Sequence, residues 1–268
     1  MQRGQGDSLG ARAVIIGAST PATSCLPSFI VQHIRAITLD LDDTLWEIAP
    51  VIRRAEAALW RWLEENFPDV PGRFTMDAAL ELRERVLAEN ADRRHDLRFL
   101  RRAVLGHMAE EAGYGSDLVE PAFSIFDAER NRVELYPDVV PALTLLAERF
   151  TVIALTNGNA NLETIGIRHL FADVVTAVDA GAAKPAREIF EYAVRRAGVS
   201  PAEIVHVGDH PEIDVAGAAG AGLATVWMNR RGEDWPDHLR RPDAVVSTVG
   251  ELCTLLDSAA GRRTSRRA

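Results

Sequence analysis

The chain has 268 residues, of which 47% are hydrophobic and 26% are charged, and its formal net charge is -9. This balance is typical of a globular protein with a sizeable core, and the negative charge argues against nucleic acid or an anionic membrane as the main partner. The two cysteines, Cys25 and Cys253, lie near opposite ends without metal-type spacing, so we expect neither a disulfide framework nor a zinc site.

The two ends of the chain have the composition of unstructured segments. The apolar run at 13–17 is much shorter than the core of a secretory signal or a membrane span, and residues that break regular structure follow it. We therefore expect residues 1–33 to form a flexible leader and residues 257–268 to form a flexible basic tail. Together with the cysteine pattern, these features favour a cytoplasmic protein.

The first predicted strand ends in a cluster of carboxylates. Residues 36–39 are apolar apart from Thr38, and Asp40, Asp42 and Asp43 follow within the next four positions. Carboxylates this close repel one another unless a cation, most simply a metal ion, lies among them. The segment therefore predicts a buried strand that delivers acidic ligands to the end of a sheet.

After this strand the pattern becomes helical and then alternates. Residues 48–135 are rich in Ala, Leu, Glu and Arg with apolar residues at helical spacing, which predicts an inserted all-helical segment. From residue 136 onward, apolar runs alternate with amphipathic segments; the predicted strands are 150–155, 174–178, 204–207 and 223–227, and the predicted helices are 139–149, 161–170, 187–197 and 212–219. This alternation predicts an α/β fold: residues 34–47 and 136–256 form a parallel sheet covered by helices on both faces.

Polar residues follow the first four predicted strands. In parallel sheets, ligands bind beyond the carboxyl ends of the strands. Thr156 and Asn157 belong to a turn whose hydroxyl and backbone amides can face an anion, Lys184 supplies an ammonium group, and Asp209 and Asp214 supply further carboxylates. Together with the acidic cluster after the first strand, these residues predict a Mg²⁺-assisted phosphoryl site.

Chemistry suggests a role for each carboxylate. Asp40 would attack phosphorus, while Asp42 would protonate the departing alkoxide and later take a proton from water. The metal would be held by Asp40, the backbone carbonyl of Asp42 and Asp209. Asp214 would bind the metal through water or orient Lys184.

The phosphate oxygens need partners of their own. Thr156, the amides around Asn157, and Lys184 would bind them as charge develops. Each feature alone has an ordinary structural explanation, such as a helix cap, a turn or a surface lysine. Their ordered occurrence at successive strand ends favours a single site.

In this order the motifs resemble those of the haloacid dehalogenase superfamily. The first motif is matched by 40–45, the second by Thr156, the third by Lys184 and the fourth by 208–214, and the resemblance covers about residues 34–256. It implies a Rossmann-like core in which the inserted segment, 48–135, is a helical cap. Having Asp42 two residues after the nucleophile resembles the phosphatases of the superfamily, because its true dehalogenases usually lack that acid.

A finer resemblance concerns the substrate. Residues 155–159 and 206–218 look like the bacterial phosphatases that act on FMN and on the phosphorylated ribitylaminouracil precursor of riboflavin. Related pyrimidine-nucleotide and sugar-phosphate phosphatases share Thr-Asn-Gly but commonly differ at the next residue, so Asn159 favours the riboflavin group. His210 departs from that group, which often has a polar or acidic residue there.

Residues of the helical segment, and residues between the first strand and that segment, are candidates for selecting the leaving group. His95 and Arg98 belong to a dense polar run that either reaches into the cleft or forms a solvated helix start. Trp46 and Glu47 follow the acidic cluster closely and are positioned to contact a leaving group, although Trp46 is equally consistent with core packing.

Several functions stay open beside the favoured one. We expect a phosphomonoesterase for a small phosphorylated metabolite, acting as a monomer or homodimer without nucleic acid or membrane. Phosphatases of nucleoside monophosphates or sugar phosphates are the nearest alternatives. A phosphomutase, a dehalogenase and a phospho-accepting regulatory module resembling a receiver domain are further ones; receivers, however, are much shorter, and Asp42 weighs against the dehalogenase.

Overall fold

The computed structural model of the chain describes residues 33–260. Of the expected leader only His33 falls within this range, and residues 261–268 of the expected tail lie outside it. The last described helix, Val249–Ala260, extends past residue 257, so the expected tail begins inside a helix.

The core is a parallel sheet. Within the described residues, six strands pair in the order β3-β2-β1-β4-β5-β6, and every neighbouring pair is parallel. The strands are β1 (Ala36–Leu39), β2 (Thr151–Thr156), β3 (Asp173–Thr176), β4 (Ile204–Gly208), β5 (Ala224–Met228) and β6 (Ala244–Val246). Because β1 lies between β2 and β4, the carboxyl ends of these three strands meet at one edge.

Helices cover both faces of the sheet, as the sequence predicts. The α-helices are α1 (Ile48–Asn66), α2 (Asp69–Arg73), α3 (Met76–Glu89), α4 (Leu97–Glu111), α5 (Val119–Arg130), α6 (Val139–Ala147), α7 (Leu162–Ile165), α8 (Ala177–Ala180), α9 (Arg187–Ala197), α10 (Gly217–Gly220) and α11 (Val249–Ala260). Side chains alternate along β1: Ile37 and Leu39 pack with α6 and α11 on one face, whereas Ala36 packs with α9 and α10 on the other. The expected α/β fold with a Rossmann-like parallel sheet is confirmed.

The helical segment between β1 and α6 has a hydrophobic core of its own. Helix α1 buries Val51, Ala55, Leu59 and Leu63, which recur every four residues along one face. The last three of these side chains join a cluster with the buried faces of α4 and α5 that is separate from the two clusters flanking the sheet. Two side chains start helices here, since Thr75 accepts from Ala78 N before α3 and Asp96 accepts from Phe99 N before α4.

Some predicted boundaries are wrong for identifiable reasons. Strand β3 ends at Thr176, which caps α8 through a capping box with Asp179, so Val178 lies in a helix. The predicted helix 161–170 is interrupted at Gly166, whose φ of 89° ends α7 in the left-handed region. Strand β6 was not predicted, because its three residues are too short for an alternating pattern.

The chain crosses between the sheet and the helical segment twice, and the two crossings lie side by side. Trp46, on the way out, forms an antiparallel bridge with Leu135 on the way back. Tyr136 N donates to Leu45 O over 3.0 Å. The acidic turn after β1 is therefore held directly against both junctions. Among the described residues, no helix is long and apolar enough to cross a membrane.

Candidate active site

Asp40 is fixed at the carboxyl end of β1 by the strand beside it. Its N–H donates to Val207 O in β4 over 2.9 Å, so pairing continues one residue beyond the strand. The turn that follows closes with a hydrogen bond from Asp43 N to Trp46 O, and Asp43 has a φ of 59°. This tight turn sends Asp40 and Asp42 toward different partners although they are two residues apart.

A buried ammonium group lies between two of the predicted carboxylates. Lys184 Nζ donates to Asp40 Oδ1 and, over 2.6 Å, to Asp214 Oδ1, and the Lys184 side chain is only 2% exposed. Burial alone would lower the pKa of Lys184, but the carboxylates of Asp214 and Asp40 outweigh it and hold the pKa above its usual value. Lys184 is therefore a fixed positive charge beside Asp40.

The backbone of Lys184 is anchored by the turn after β2. Asn157 Nδ2 donates to Lys184 O over 2.9 Å, and Lys184 N donates to Asn157 Oδ1 over 2.7 Å. The side chain of Asn157 thus holds Lys184 in place. We expected Asn157 to help bind phosphate through the backbone amides around it, and that role stays a prediction.

Asp214 is the most constrained carboxylate of the site. Its Oδ2 accepts from His210 N over 2.9 Å, and its Oδ1 lies 3.3 Å from His206 Nε2. Burial would raise the pKa of Asp214, but Lys184 and His206 lower it below its usual value. Gly208 leaves room for this carboxylate, because a Cβ at position 208 would lie 2.6 Å from Asp214 Oδ2.

Three carboxylates converge in a way that suits a divalent cation. Asp40, Asp209 and Asp214 each offer an oxygen, and these oxygens lie within 4.8 Å of one another. Burial raises the pKa of Asp40, and burial together with Asp214 raises the pKa of Asp209 to about 7. An all-oxygen set of crowded carboxylates fits a hard ion such as Mg²⁺. We expected Asp42 to bind the metal through its backbone carbonyl, which stays a prediction; its carboxylate is not one of the three that converge.

Asp42 is held by the helical segment and its junction instead. Arg130 Nη2, at the end of α5, lies 2.8 Å from both Asp42 Oδ1 and Asp42 Oδ2. Trp46 Nε1 also donates to Asp42 Oδ1, over 2.9 Å. Burial raises the pKa of Asp42, and these two donors offset part of the shift.

The turn after β2 brings the phosphate-binding candidate Thr156 close to this pair. Thr156 is buried, and its Oγ1 accepts from Gly158 N over 2.8 Å. A Cβ at Gly158 would lie 2.7 Å from Asp42 Oδ2, 3.1 Å from Thr156 Oγ1 and 3.3 Å from Arg130 Nη2. Only a glycine lets the turn approach Asp42 and Arg130 so closely.

The residues expected to select the leaving group differ in their surroundings. Trp46 is fully buried in the core cluster and donates a hydrogen bond to Asp42, which agrees with the core-packing alternative. A contact between Trp46 and the leaving group stays a prediction. Glu47 is exposed at the start of α1, and Asn159 is half-buried in the loop that follows β2.

His95 and Arg98 lie at one end of α4. Arg98 pairs through both terminal nitrogens with Asp127, and Arg102 pairs with Glu120, so α4 runs antiparallel to α5. The start of α4 therefore lies toward the end of α5 that reaches Asp42. Half-buried His95 precedes that start, whereas the guanidinium of Arg98 is already engaged in an ion pair.

Sequence reasoning missed two groups that contact the site. A single arginine at the end of a helix looks like an ordinary favourable charge at a helix C-terminus, so nothing in the sequence pointed to Arg130. His206 lies in an apolar strand run, where its 2.9 Å approach to Thr38 Oγ1 and its contact with Asp214 depend on strand pairing. In the sequence, the only sign of this role was that His206 is a polar residue within an otherwise apolar strand.

The chain is similar to known proteins over most of its length. The model of the haloacid dehalogenase-like hydrolase family matches residues 34–222. The chain is 31% identical over 235 residues to the 5-amino-6-(5-phospho-D-ribitylamino)uracil phosphatase YigB of Escherichia coli, covering 84% of this chain and 97% of that protein. It is also 31% identical over 236 residues to the glyceraldehyde 3-phosphate phosphatase of Methanopyrus kandleri, covering 82% and 98% of the two chains.

A solved structure gives a further comparison. The crystal structure of a 2-haloacid dehalogenase from Pseudomonas syringae is 42% identical, with a TM-score of 0.80, and the match covers 84% of this chain and 99% of that one. Named phosphatases recur among the other relatives, which supports the expected enzyme class, a phosphoric monoester hydrolase. The family match over 34–222, with both full-length relatives, establishes that this chain belongs to the haloacid dehalogenase-like hydrolase family.

Proposed function

We propose that this protein is a Mg²⁺-dependent phosphomonoesterase that hydrolyses a small phosphorylated metabolite through a phosphoaspartate on Asp40. The observation that carries the proposal is the convergence of Asp40, Asp209 and Asp214 around the buried ammonium group of Lys184. Phosphoryl transfer needs a nucleophile, positive charge and fixed hydrogen-bond donors in one place. This edge of the sheet brings together the carboxylate of Asp40, further carboxylates that could hold a metal ion, and the ammonium group of Lys184.

The chemistry takes place in two steps. In the first, an Asp40 oxygen forms a bond to phosphorus as the bond to the leaving oxygen breaks, and Asp42 gives its proton to that oxygen. In the second, Asp42 takes a proton from water while the water oxygen bonds to phosphorus and the bond between Asp40 and phosphorus breaks. Asp42 is thereby returned to its protonated form.

The remaining residues stabilise charge. A magnesium ion held by Asp40, Asp209 and Asp214 would neutralise phosphate oxygens. Lys184 keeps its positive charge beside Asp40, and the hydroxyl of Thr156 is available to a phosphate oxygen. Asn157 contributes by anchoring Lys184.

For the substrate we propose FMN or the phosphorylated ribitylaminouracil precursor of riboflavin. Asn159 after Thr-Asn-Gly supports this assignment, and so does the similarity to YigB. Nucleoside monophosphates and sugar phosphates are the competing substrates, since a pyrimidine nucleotidase is also among the relatives. A cytoplasmic location and a monomeric or homodimeric state stay predictions.

A rate comparison across phosphate esters tests the proposal. Purified protein with Mg²⁺ should release phosphate from FMN and the ribitylaminouracil phosphate with a higher kcat/KM than from nucleoside monophosphates or sugar phosphates. Chelation with EDTA should abolish release, and added Mg²⁺ should restore it. If the two riboflavin-pathway esters are the poorest substrates, the substrate assignment is wrong; phosphate release that continues unchanged in EDTA would contradict metal dependence.

One observation favours a second candidate, a 2-haloacid dehalogenase. The Pseudomonas syringae structure with that title is 42% identical to this chain. In such a reaction Asp40 would attack carbon and a halide would leave without needing a proton, so Asp42 would have no part in the first step. Halide release from 2-chloropropionate, measured beside phosphate release from the ester panel, separates the two activities.

A further inference from the structure

Arg130 is the cation that contacts the proton-transferring carboxylate. It is the last residue of α5, and its side chain is only 2% exposed. Its Nη2 lies 2.8 Å from each oxygen of Asp42, so a single nitrogen contacts both carboxylate oxygens. The link runs from the helical segment to the turn after β1, across 88 positions of sequence.

Stability does not explain this arrangement well. Burying a guanidinium group is costly unless every donor finds an acceptor. Nη1 of Arg130 is buried and has no hydrogen-bond partner among the described residues. Buried polar atoms are rarely left in this condition, and exceptions call for an explanation.

The position of the pair suggests what the arginine does. Asp42 Oδ2 and Arg130 Nη2 both lie against Gly158, next to Thr156 Oγ1. The proton-transferring carboxylate is therefore held over the turn that carries the phosphate-binding hydroxyl. Trp46 Nε1 fixes Asp42 Oδ1 from the junction side, which leaves the orientation of the carboxylate dependent on both donors.

We propose that Arg130 is a positioning residue for proton transfer by Asp42, and that acid–base catalysis in this enzyme depends on a side chain delivered by the helical segment. This inference rests on the proposed phosphatase function. Arg130 acts through Asp42: in the first step the proton of Asp42 must reach the leaving oxygen as the phosphorus–oxygen bond breaks, and a misdirected carboxylate cannot deliver it.

The leaving group provides a readout that a merely structural role would not move. An alkyl phosphate leaves as a basic alkoxide and needs the proton, whereas p-nitrophenyl phosphate leaves as a stabilised phenolate and needs it little. We expect Arg130→Gln to lower the single-turnover rate of the first step for the best alkyl ester about 10- to 100-fold, within the range of misplaced acid–base groups, with little change in the ester concentration that half-saturates this rate. The first-step rate for p-nitrophenyl phosphate should fall less than about 3-fold on the same reasoning. The first step is the one compared because the second step uses Asp42 as the base whichever ester was hydrolysed.

Three further variants make the test specific. Arg102→Gln is the matched control, because Arg102 donates to Glu120 within the same helical segment and should leave both rates unchanged. Arg130→Lys keeps the charge and should recover part of the alkyl-ester rate. In an Asp42→Asn background, Arg130→Gln should cost little more, because the group it positions is gone.

The outcomes separate this inference from the proposed function. A wild-type protein that hydrolyses neither ester overturns both. If the wild type is active and Arg130→Gln lowers the two rates equally, or lowers neither, the positioning role is wrong. Should Arg130→Gln fail to fold by circular dichroism, the same comparison made with Arg130→Lys decides, and equal losses on both esters again overturn the inference.

Discussion

Asp40 and Asp42 are separated by one residue and belong to different halves of the site. Asp40 is engaged by groups of the sheet domain, with Lys184 donating to it and Asp209 and Asp214 nearby. Asp42 accepts from Arg130 at the end of α5 and from Trp46 at the first junction. The proposed nucleophile and its charge partners are therefore preorganised by strand pairing, whereas the proposed proton-transferring group depends on how the helical segment meets the sheet.

The other residues of each half follow the same division. The Asp40 half is closed by reciprocal hydrogen bonds between Asn157 and Lys184. Its other groups come from the ends of β1, β2 and β4 or just beyond them, whereas Lys184 lies in the loop after α8. The Asp42 half includes residues at both crossings, where Trp46 bridges Leu135. A change that disturbs one half should therefore leave a different kinetic signature from a change in the other.

Removing the proton-transferring group should have the largest effect within the Asp42 half. Asp42→Asn keeps the size of the side chain but cannot exchange a proton, so kcat for an alkyl phosphate should fall about 10²- to 10⁴-fold. The loss for p-nitrophenyl phosphate should be much smaller in the first step. Single-turnover and steady-state rates with both esters measure this difference. Equal losses in the single-turnover rates of the two esters would mean that Asp42 acts on charge or folding and not on the leaving oxygen.

Two glycines give a matched pair with smaller expected effects. In Gly208→Ala the added methyl group would lie 2.6 Å from Asp214 Oδ2, and in Gly158→Ala it would lie 2.7 Å from Asp42 Oδ2. We expect losses of about 10-fold or more in both, since a 1 Å misplacement can cost about 10²-fold. Gly208→Ala should lower the rates for both esters alike and weaken the apparent affinity for Mg²⁺, whereas Gly158→Ala should lower the single-turnover rate of the alkyl ester more than that of p-nitrophenyl phosphate. The reverse pattern would contradict the division of the site.

The Asp40 half of the site was predictable from sequence because its groups are placed by local rules. Each of Asp40, Thr156 and Asp209 directly follows or ends a buried apolar run, and parallel strand ends meet at one edge. Lys184 and Asp214 lie further from a strand, yet each follows a predicted strand within a short stretch of chain, so the same rule identified them. The fold was predictable for the same reason, since alternation of strands and helices leaves few arrangements of the sheet.

What could not be predicted depends on contacts between distant segments. Arg130 reaches Asp42 only because α5 packs against α1 and returns beside Trp46, and no spacing in the sequence records that approach. Trp46 likewise could be given either a packing or a substrate role until its burial and hydrogen bond were known. Strand β6 is short and carries too few residues for periodicity to act as a signal.

The central claim, that Asp40 is the nucleophile, is tested most directly by trapping the covalent intermediate. Wild-type protein mixed with Mg²⁺ and a ³²P-labelled alkyl ester, then quenched in acid within the first turnover, should carry label on the peptide that contains Asp40. Asp40→Asn should carry no label and release no phosphate while keeping the circular dichroism spectrum of the wild type. Label on another residue, or full phosphatase activity of Asp40→Asn, would contradict the account.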